Sequence, residues 1–120
     1  MVDLAVDTDR EAIEAVKRFL SCLPSHRNEP PPVYPVPAGS DEGSKTILDI
    51  LPESRTKVYD VRRIIDAVVD LGSQFELKPR FGKGVVTALG RIDGHSVGII
   101  ASNPMSKGGA IDVDACNKVI

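Results

Sequence analysis

Asp93-Gly94 stands between two runs rich in β-formers, Val85-Val86-Thr87-Ala88-Leu89-Gly90-Arg91-Ile92 before it and His95-Ser96-Val97-Gly98-Ile99-Ile100-Ala101 after it. A two-residue hairpin loop in the type I′ geometry needs positive φ at both positions. Asp-Gly tolerates that geometry, so the pair predicts a type I′ hairpin. A hairpin alone is marginal in water, so other segments have to cover it.

Two helices are predicted to supply that cover. Thr8-Asp9-Arg10-Glu11 has the spacing of a capping box. Ala12, Ile13, Val16, Phe19, Leu20 and Leu23 follow at helical intervals until Pro24, which predicts a helix over residues 9–22. Asp60 is a good N-cap for a second helix, with Val61, Ile64, Ile65, Val68 and Val69 on one face and Arg62, Arg63, Asp66 and Asp70 on the other. Gly72 is expected to end it as a left-handed cap.

Residues 75–78 alternate like a short strand that stops before Pro79. Ser102-Asn103-Pro104 reads as a turn and residues 107–109 as a flexible loop. Asp112 or Asp114 then caps a last helix containing Ala115, Val119 and Ile120. Its apolar pattern is still running at residue 120, as in a chain that has been cut.

Between the two helices the composition changes. Pro30, Pro31, Pro32, Pro35 and Pro37 are followed by Ala38-Gly39-Ser40-Asp41-Glu42-Gly43, which predicts a linker or an extended arm lying along the protein wall. Residues 47–51 read as one helical turn. The fold class is therefore α+β, helices plus a β-hairpin.

At 120 residues one domain is the upper limit. With 4% aromatic residues and no Trp, its core has to come from Val, Ile, Leu and Ala and should be thin. A net charge of −2 offers no general attraction to nucleic acid or to an anionic membrane. Residues 1–60 hold 11 acidic and 7 basic side chains, against 6 and 8 in residues 61–120, so an anionic ligand would prefer the second half. Cys22 and Cys116 belong to no metal or disulfide pattern, and no metal ligands are assigned. The two cysteines fit reduced thiols in a cytosolic or matrix compartment, and the acidic N-terminus and the lack of a long apolar run predict an untargeted soluble chain, so the expected setting is the cytoplasm.

Candidate chemistry is sparse. His26 and His95 lack the nucleophile setting of a hydrolase and read as ordinary surface residues. Asp112 and Asp114 lie by a Gly-Gly loop that could hold a cation, although helix capping explains them more simply. Gly82-Lys83-Gly84, with Arg80 and Phe81 before it and Arg91 across the hairpin, brings positive charge beside backbone that a phosphate or carboxylate can approach. The spacing is not that of a P-loop, and a solvated turn explains it equally well. Gly108-Gly109 suits either an oxyanion or a plain loop. No catalytic residue is assigned.

Several ordered strings go further. They are Tyr59-Asp60-Val61-Arg62-Arg63-Ile64-Ile65, Phe75-Glu76-Leu77-Lys78-Pro79-Arg80-Phe81-Gly82, Ala88-Leu89-Gly90-Arg91-Ile92-Asp93-Gly94, Val97-Gly98-Ile99-Ile100-Ala101-Ser102-Asn103-Pro104 and Gly108-Gly109-Ala110-Ile111-Asp112. Together they resemble the carboxyltransferase (beta) subunit of biotin-dependent acyl-CoA carboxylases, of the propionyl-CoA, acetyl-CoA and methylmalonyl-CoA carboxyltransferase type. Leu20-Ser21-Cys22-Leu23-Pro24-Ser25 resembles a further element of that family, with Cys22 where Tyr is common. Gln74, Ser102 and Asn117 also depart from it, replacing respectively an aromatic, an Asn and an acidic residue.

The resemblance implies a crotonase-like (ClpP/crotonase) fold of ββα spiral units and transfer of a carboxyl group from carboxybiotin, carried by a partner domain, to an acyl-CoA. It implies partners as well: the biotin carboxylase and biotin carrier subunit, and further copies of the beta subunit. Residues 1–24 would end the first carboxyltransferase domain, 25–57 form the connecting arm and 58–120 open the second domain. The binding residues expected from it are Arg80, Phe81, Gly82, Lys83 and Arg91 on the CoA side, with Asn103, Gly108 and Gly109 shaping the site. Because the family's oxyanion-forming turns fall outside these 120 residues, the chain alone is expected to be inactive. A non-catalytic assembly piece and a simple anion- or CoA-binding module stay open as alternatives.

Overall fold

The computed structural model describes residues 2–54 and 56–120. Met1, and Arg55 within the arm assigned to 25–57, lie outside the described residues. The order of elements is α1 (Asp9–Leu20), α2 (Ser40–Lys45), α3 (Ile47–Ile50), α4 (Val61–Val68), β1 (Phe75–Leu77), β2 (Val85–Ile92), β3 (His95–Ser102), a 3-10 turn (Lys107–Gly109) and α5 (Val113–Val119).

The hairpin forms as the dipeptide dictates. Asp93 and Gly94 have φ of 52° and 76°, and Ile92 pairs with His95 in an antiparallel register that runs to Val85 opposite Ser102. β1 joins the free edge of β2, with Phe75 opposite Leu89 and Leu77 opposite Thr87, giving the sheet order β1-β2-β3.

Alternation along β2 sends Val86 toward α4. There it forms the core with Val61, Ile65 and Val69, flanked by Tyr59, Ile99 and Ala101. Gly90 is needed where α4 leaves the sheet, since a Cβ there would sit 2.9 Å from the Val69 side chain. The core is small and aliphatic, as the composition requires.

Both predicted caps are present. Thr8 accepts from the Glu11 N–H while Glu11 reaches back to the Thr8 backbone, and Asp60 accepts from the Arg62 N–H at 3.0 Å. At the last helix the choice falls on Asp112, which accepts from the Ala115 N–H at 2.9 Å.

Three expectations are corrected. α4 ends at Val68, well before Gly72, because the Asp70 N–H is taken at 2.7 Å by the Arg91 carbonyl and the chain turns extended at Val69. Gly72 still adopts a left-handed φ of 72°, but in the following turn. Residues 40–45 form a helix, not a linker: α2 packs on α4 so closely that a Cβ on Gly43 would lie 2.7 Å from the Ala67 carbonyl oxygen. Asp70, placed on the solvent side by helical spacing, is 6% exposed.

The stretch from Pro30 to Pro37 has no regular secondary structure and lies against the hairpin. Tyr34 donates its N–H to the Gly94 carbonyl at 3.0 Å, so the arm is stitched to the hairpin turn. α1 covers the second face of the sheet only in part. Phe19 meets Phe75 with ring centroids 6.4 Å apart, while Ile13, Val16 and Leu20 are each more than half exposed. Among the described residues, no helix is long and apolar enough to cross a membrane.

Candidate functional site

The loop of residues 78–84 leaves β1 and enters β2 at the open end of the hairpin. Lys78 begins it with a positive φ of 52°, held there by its N–H, which donates to the Asp3 carbonyl at 2.7 Å. That bond draws residues 2–5 alongside Pro79, Arg80 and Phe81, and a cleft of about 380 Å³ opens between them. Arg80 and Lys83 are exposed, while Phe81 and Gly82 are half-buried.

The two glycines around Lys83 are used internally. A Cβ on Gly82 would lie 2.7 Å from the Asp114 carbonyl oxygen, and one on Gly84 would lie 2.8 Å from that of Ala110. Their small size lets α5 and its leading loop close down on the 82–84 turn, where it presents Lys83 outward.

Asn103 fixes the same turn from the other side. Buried to 4% exposure, it donates its side-chain amide to the Lys83 carbonyl at 3.2 Å and accepts from the Met105 N–H at 3.3 Å. Its backbone N–H donates to the Gly84 carbonyl at 2.8 Å. Gly108 and Gly109, at φ of 65° and 82°, complete the neighbourhood, with the Gly109 carbonyl accepting from the Ser102 hydroxyl at 2.9 Å. Lys107 and Asp112 close this loop with an ion pair at 2.6 Å. That pairing and the Ala115 N–H hold the Asp112 carboxyl below its ordinary range.

Seven of the eight binding residues expected from the sequence thus gather at one end of the hairpin: Arg80, Phe81, Gly82, Lys83, Asn103, Gly108 and Gly109. Arg91 does not join them. It lies near the far end of β2, roughly 20 Å along the strand from Val85, where the 82–84 turn ends, at about 3.3 Å per residue. Its guanidinium donates to the Ser21 hydroxyl at 2.8 Å and the Ser21 carbonyl at 3.1 Å and lies 4.0 Å over the Tyr34 ring.

Two charged residues beneath the open end escaped sequence reasoning. Arg62 donates two hydrogen bonds of 2.7 Å to the Glu76 carboxylate, from Nε and Nη2, tying the start of α4 to β1. This bond and the charge behind it raise the Arg62 pKa further. Lys118 of α5 is 3% exposed and donates from Nζ to the Val85 carbonyl at 2.8 Å. Burial lowers its pKa against the opposing pull of Glu76. Arg62 also reaches Asp60 at 3.4 Å, but the partners that set both roles, Glu76 and Val85, lie 14 and 33 positions away and leave no short-range signal. Among the described residues, no group of three or more His, Cys, Asp or Glu stands ready to hold a metal ion.

The mixed α/β arrangement, with helices around a three-stranded sheet, is that of the crotonase-like carboxyltransferases. The chain belongs to the carboxyl transferase domain family, whose match extends over residues 1–120. It is 34% identical over 114 residues to the propionyl-CoA carboxylase carboxyltransferase subunit of Haloferax mediterranei, covering 95% of this chain and 22% of that protein. To the biotin-dependent long chain acyl-coenzyme A carboxylase beta4 subunit of Mycobacterium tuberculosis it is 34% identical over 115 residues, covering 94% of this chain and 22% of that protein.

Among solved structures it is similar to transcarboxylase 12S, described as a hexamer assembly with hydrolysed methylmalonyl-coenzyme A bound. The TM-score is 0.87 at 32% identity, covering 97% of this chain and 23% of the other. The chain therefore spans between a fifth and a quarter of the length of these relatives.

Proposed function

We propose that this chain is part of a biotin-dependent carboxyltransferase that moves a carboxyl group from carboxybiotin to an acyl-CoA of the propionyl-CoA or acetyl-CoA class. The supporting observation is the family match over all 120 positions, together with 32% identity to a solved structure that carries a hydrolysed CoA ester. Biotin arrives on a carrier domain of a partner subunit, other copies of the chain's own kind complete the assembly, and the setting is cytoplasmic. Residues 1–24 close a first carboxyltransferase domain, 25–57 connect, and 58–120 open the second.

The open end of the hairpin takes the CoA side of the substrate. CoA carries phosphates and an adenine ring, and exposed Arg80 and Lys83 above half-buried Phe81 offer charge and a ring to match. The cleft of about 380 Å³ beside them is large enough for part of such a ligand and too small for all of it. Asn103, Gly108 and Gly109 shape the turn; they do not react.

The test is transfer from carboxybiotin to propionyl-CoA by the intact protein, followed by the same assay on Lys83→Ala and Arg80→Ala. Carboxylation by the parent, with KM for the acyl-CoA raised about 3- to 10-fold in either variant and kcat kept, supports the reading. A parent that carboxylates no acyl-CoA ends it. A second reading, an assembly piece, is favoured by exposed Ile13, Val16 and Leu20 along α1, and is rejected by a well-folded monomer that ignores other subunits in size-exclusion chromatography.

A further inference from the structure

We propose that Arg91 is a positioning residue, a brace that fixes α1 and the proline arm against the hairpin, and that carboxyl transfer depends on it without its touching the acyl-CoA. The inference rests on the proposed carboxyltransferase reading and assigns Arg91 a role other than the anion contact its charge suggested.

The geometry is specific. Arg91 is half-buried and reaches two segments far from it in sequence, Ser21 at the end of α1 through two hydrogen bonds and Tyr34 of the arm through its ring face. Tyr34 is tied to the same turn a second time by its N–H on the Gly94 carbonyl. Gly94 must stay a glycine for this approach, because any Cβ there would collide with the Tyr34 carbonyl. A matching brace runs the opposite way, since Arg18 of α1 donates to the Gln74 carbonyl at 2.8 Å. Two arginines, one from each side, therefore hold the segments before residue 58 against the sheet that follows.

A planar guanidinium can lie over a ring while its Nη2 donates twice to Ser21; a lysine ammonium is a compact point charge with no plane to stack. Both bonds to Ser21 leave from Nη2, and Nε is buried without a partner, so the guanidinium is enclosed by α1 and the arm, while the exposed cations lie beyond the other end of β2, roughly 20 Å along the strand. A small displacement of one carboxyltransferase domain against the other is what loss of the brace would cause. Transfer between two bound groups is steeply sensitive to such displacement, whereas binding at the open end is not.

The experiment compares Arg91→Lys and Tyr34→Leu with wild type in the intact protein, by steady-state transfer to propionyl-CoA and by amide hydrogen exchange over residues 15–36. The expected result is kcat reduced about tenfold or more with KM for acyl-CoA unchanged, and exchange in 15–36 accelerated about tenfold or more, in both variants. Tyr34→Phe, which keeps the ring, should behave as wild type. Raised KM with kcat and exchange unchanged in Arg91→Lys would overturn the proposal and make Arg91 an anion contact. Unchanged exchange together with unchanged kinetics would also overturn it. Should the parent carboxylate no acyl-CoA, the exchange measurement still decides whether the brace exists, so failure of the functional reading is told apart from failure of the brace.

Discussion

The Asp70 carboxylate accepts the Gly94 N–H at 2.7 Å and the Asp93 N–H at 3.1 Å, one oxygen to each. Both donors of the two-residue turn are thereby satisfied from a residue 23 positions earlier. A buried carboxylate at this point substitutes for the water that an exposed turn would use.

Asp70→Ala should therefore lower stability by about 2–4 kcal/mol, the loss of two charge-assisted bonds to backbone donors left without partners. Asp70→Asn should cost less, since one oxygen remains to accept. Urea unfolding of both variants checks the order; an alanine variant as stable as wild type refutes the role given to Asp70.

Gly94 and Gly108 both have positive φ, 76° and 65°, but only Gly94 faces a neighbour's backbone. Gly108→Ala should cost about 1 kcal/mol, the ordinary left-handed penalty. Gly94→Ala should cost roughly 2–4 kcal/mol, because the arm must also move away. Thermal unfolding separates the two, and equal costs would mean that the arm is not seated at the turn.

Lys118 titrates against its burial. Its pKa lies below 10.5 in the folded chain, so the unfolded chain binds the extra proton between that lowered value and 10.5. Stability should accordingly rise as pH climbs through this window and level off above it. Lys118→Met lacks the titrating group and should lack the rise. Urea midpoints of both proteins, followed from about pH 8 upward, provide the comparison.

Gln74 stands where the resembled family usually has an aromatic residue, and its Oε1 is buried without a hydrogen-bond partner. Gln74→Leu removes that orphan and leaves the backbone carbonyl that Arg18 uses. A gain of about 1 kcal/mol is expected, read as a higher melting temperature; a clear loss would indicate that the amide does have a partner in the assembled protein.

Local signals made much of this architecture legible. Asp93-Gly94 specified the turn and with it the register of β2 and β3. Thr8, Asp60 and one of the two candidate aspartates, Asp112, marked the starts of three helices. The rest depended on partners distant in sequence. α2 carries no apolar stripe, and its reason for being helical is the bare backbone of Gly43 against Ala67, some 24 positions away. Helical spacing put Asp70 in solvent because nothing nearby says that a turn will need its oxygens. At the candidate site, clustered charge and glycine were enough to point to residues 80–84. Arg91 carried the same charge signal, and only its contacts with Ser21 and Tyr34 distinguish it from them.

The brace at Arg91 also bears on the order in which the chain assembles. The β2–β3 turn closes over two residues, whereas the contact of Arg91 with Ser21 closes a loop of 70. The entropy of closing the longer loop has to be met after the hairpin offers a surface to dock on. On that argument the hairpin forms early, the arm and the end of α1 arrive late, and unfolding reverses the sequence. Amides of α1 should then reach solvent from a partly open state in which β2 and β3 are still paired.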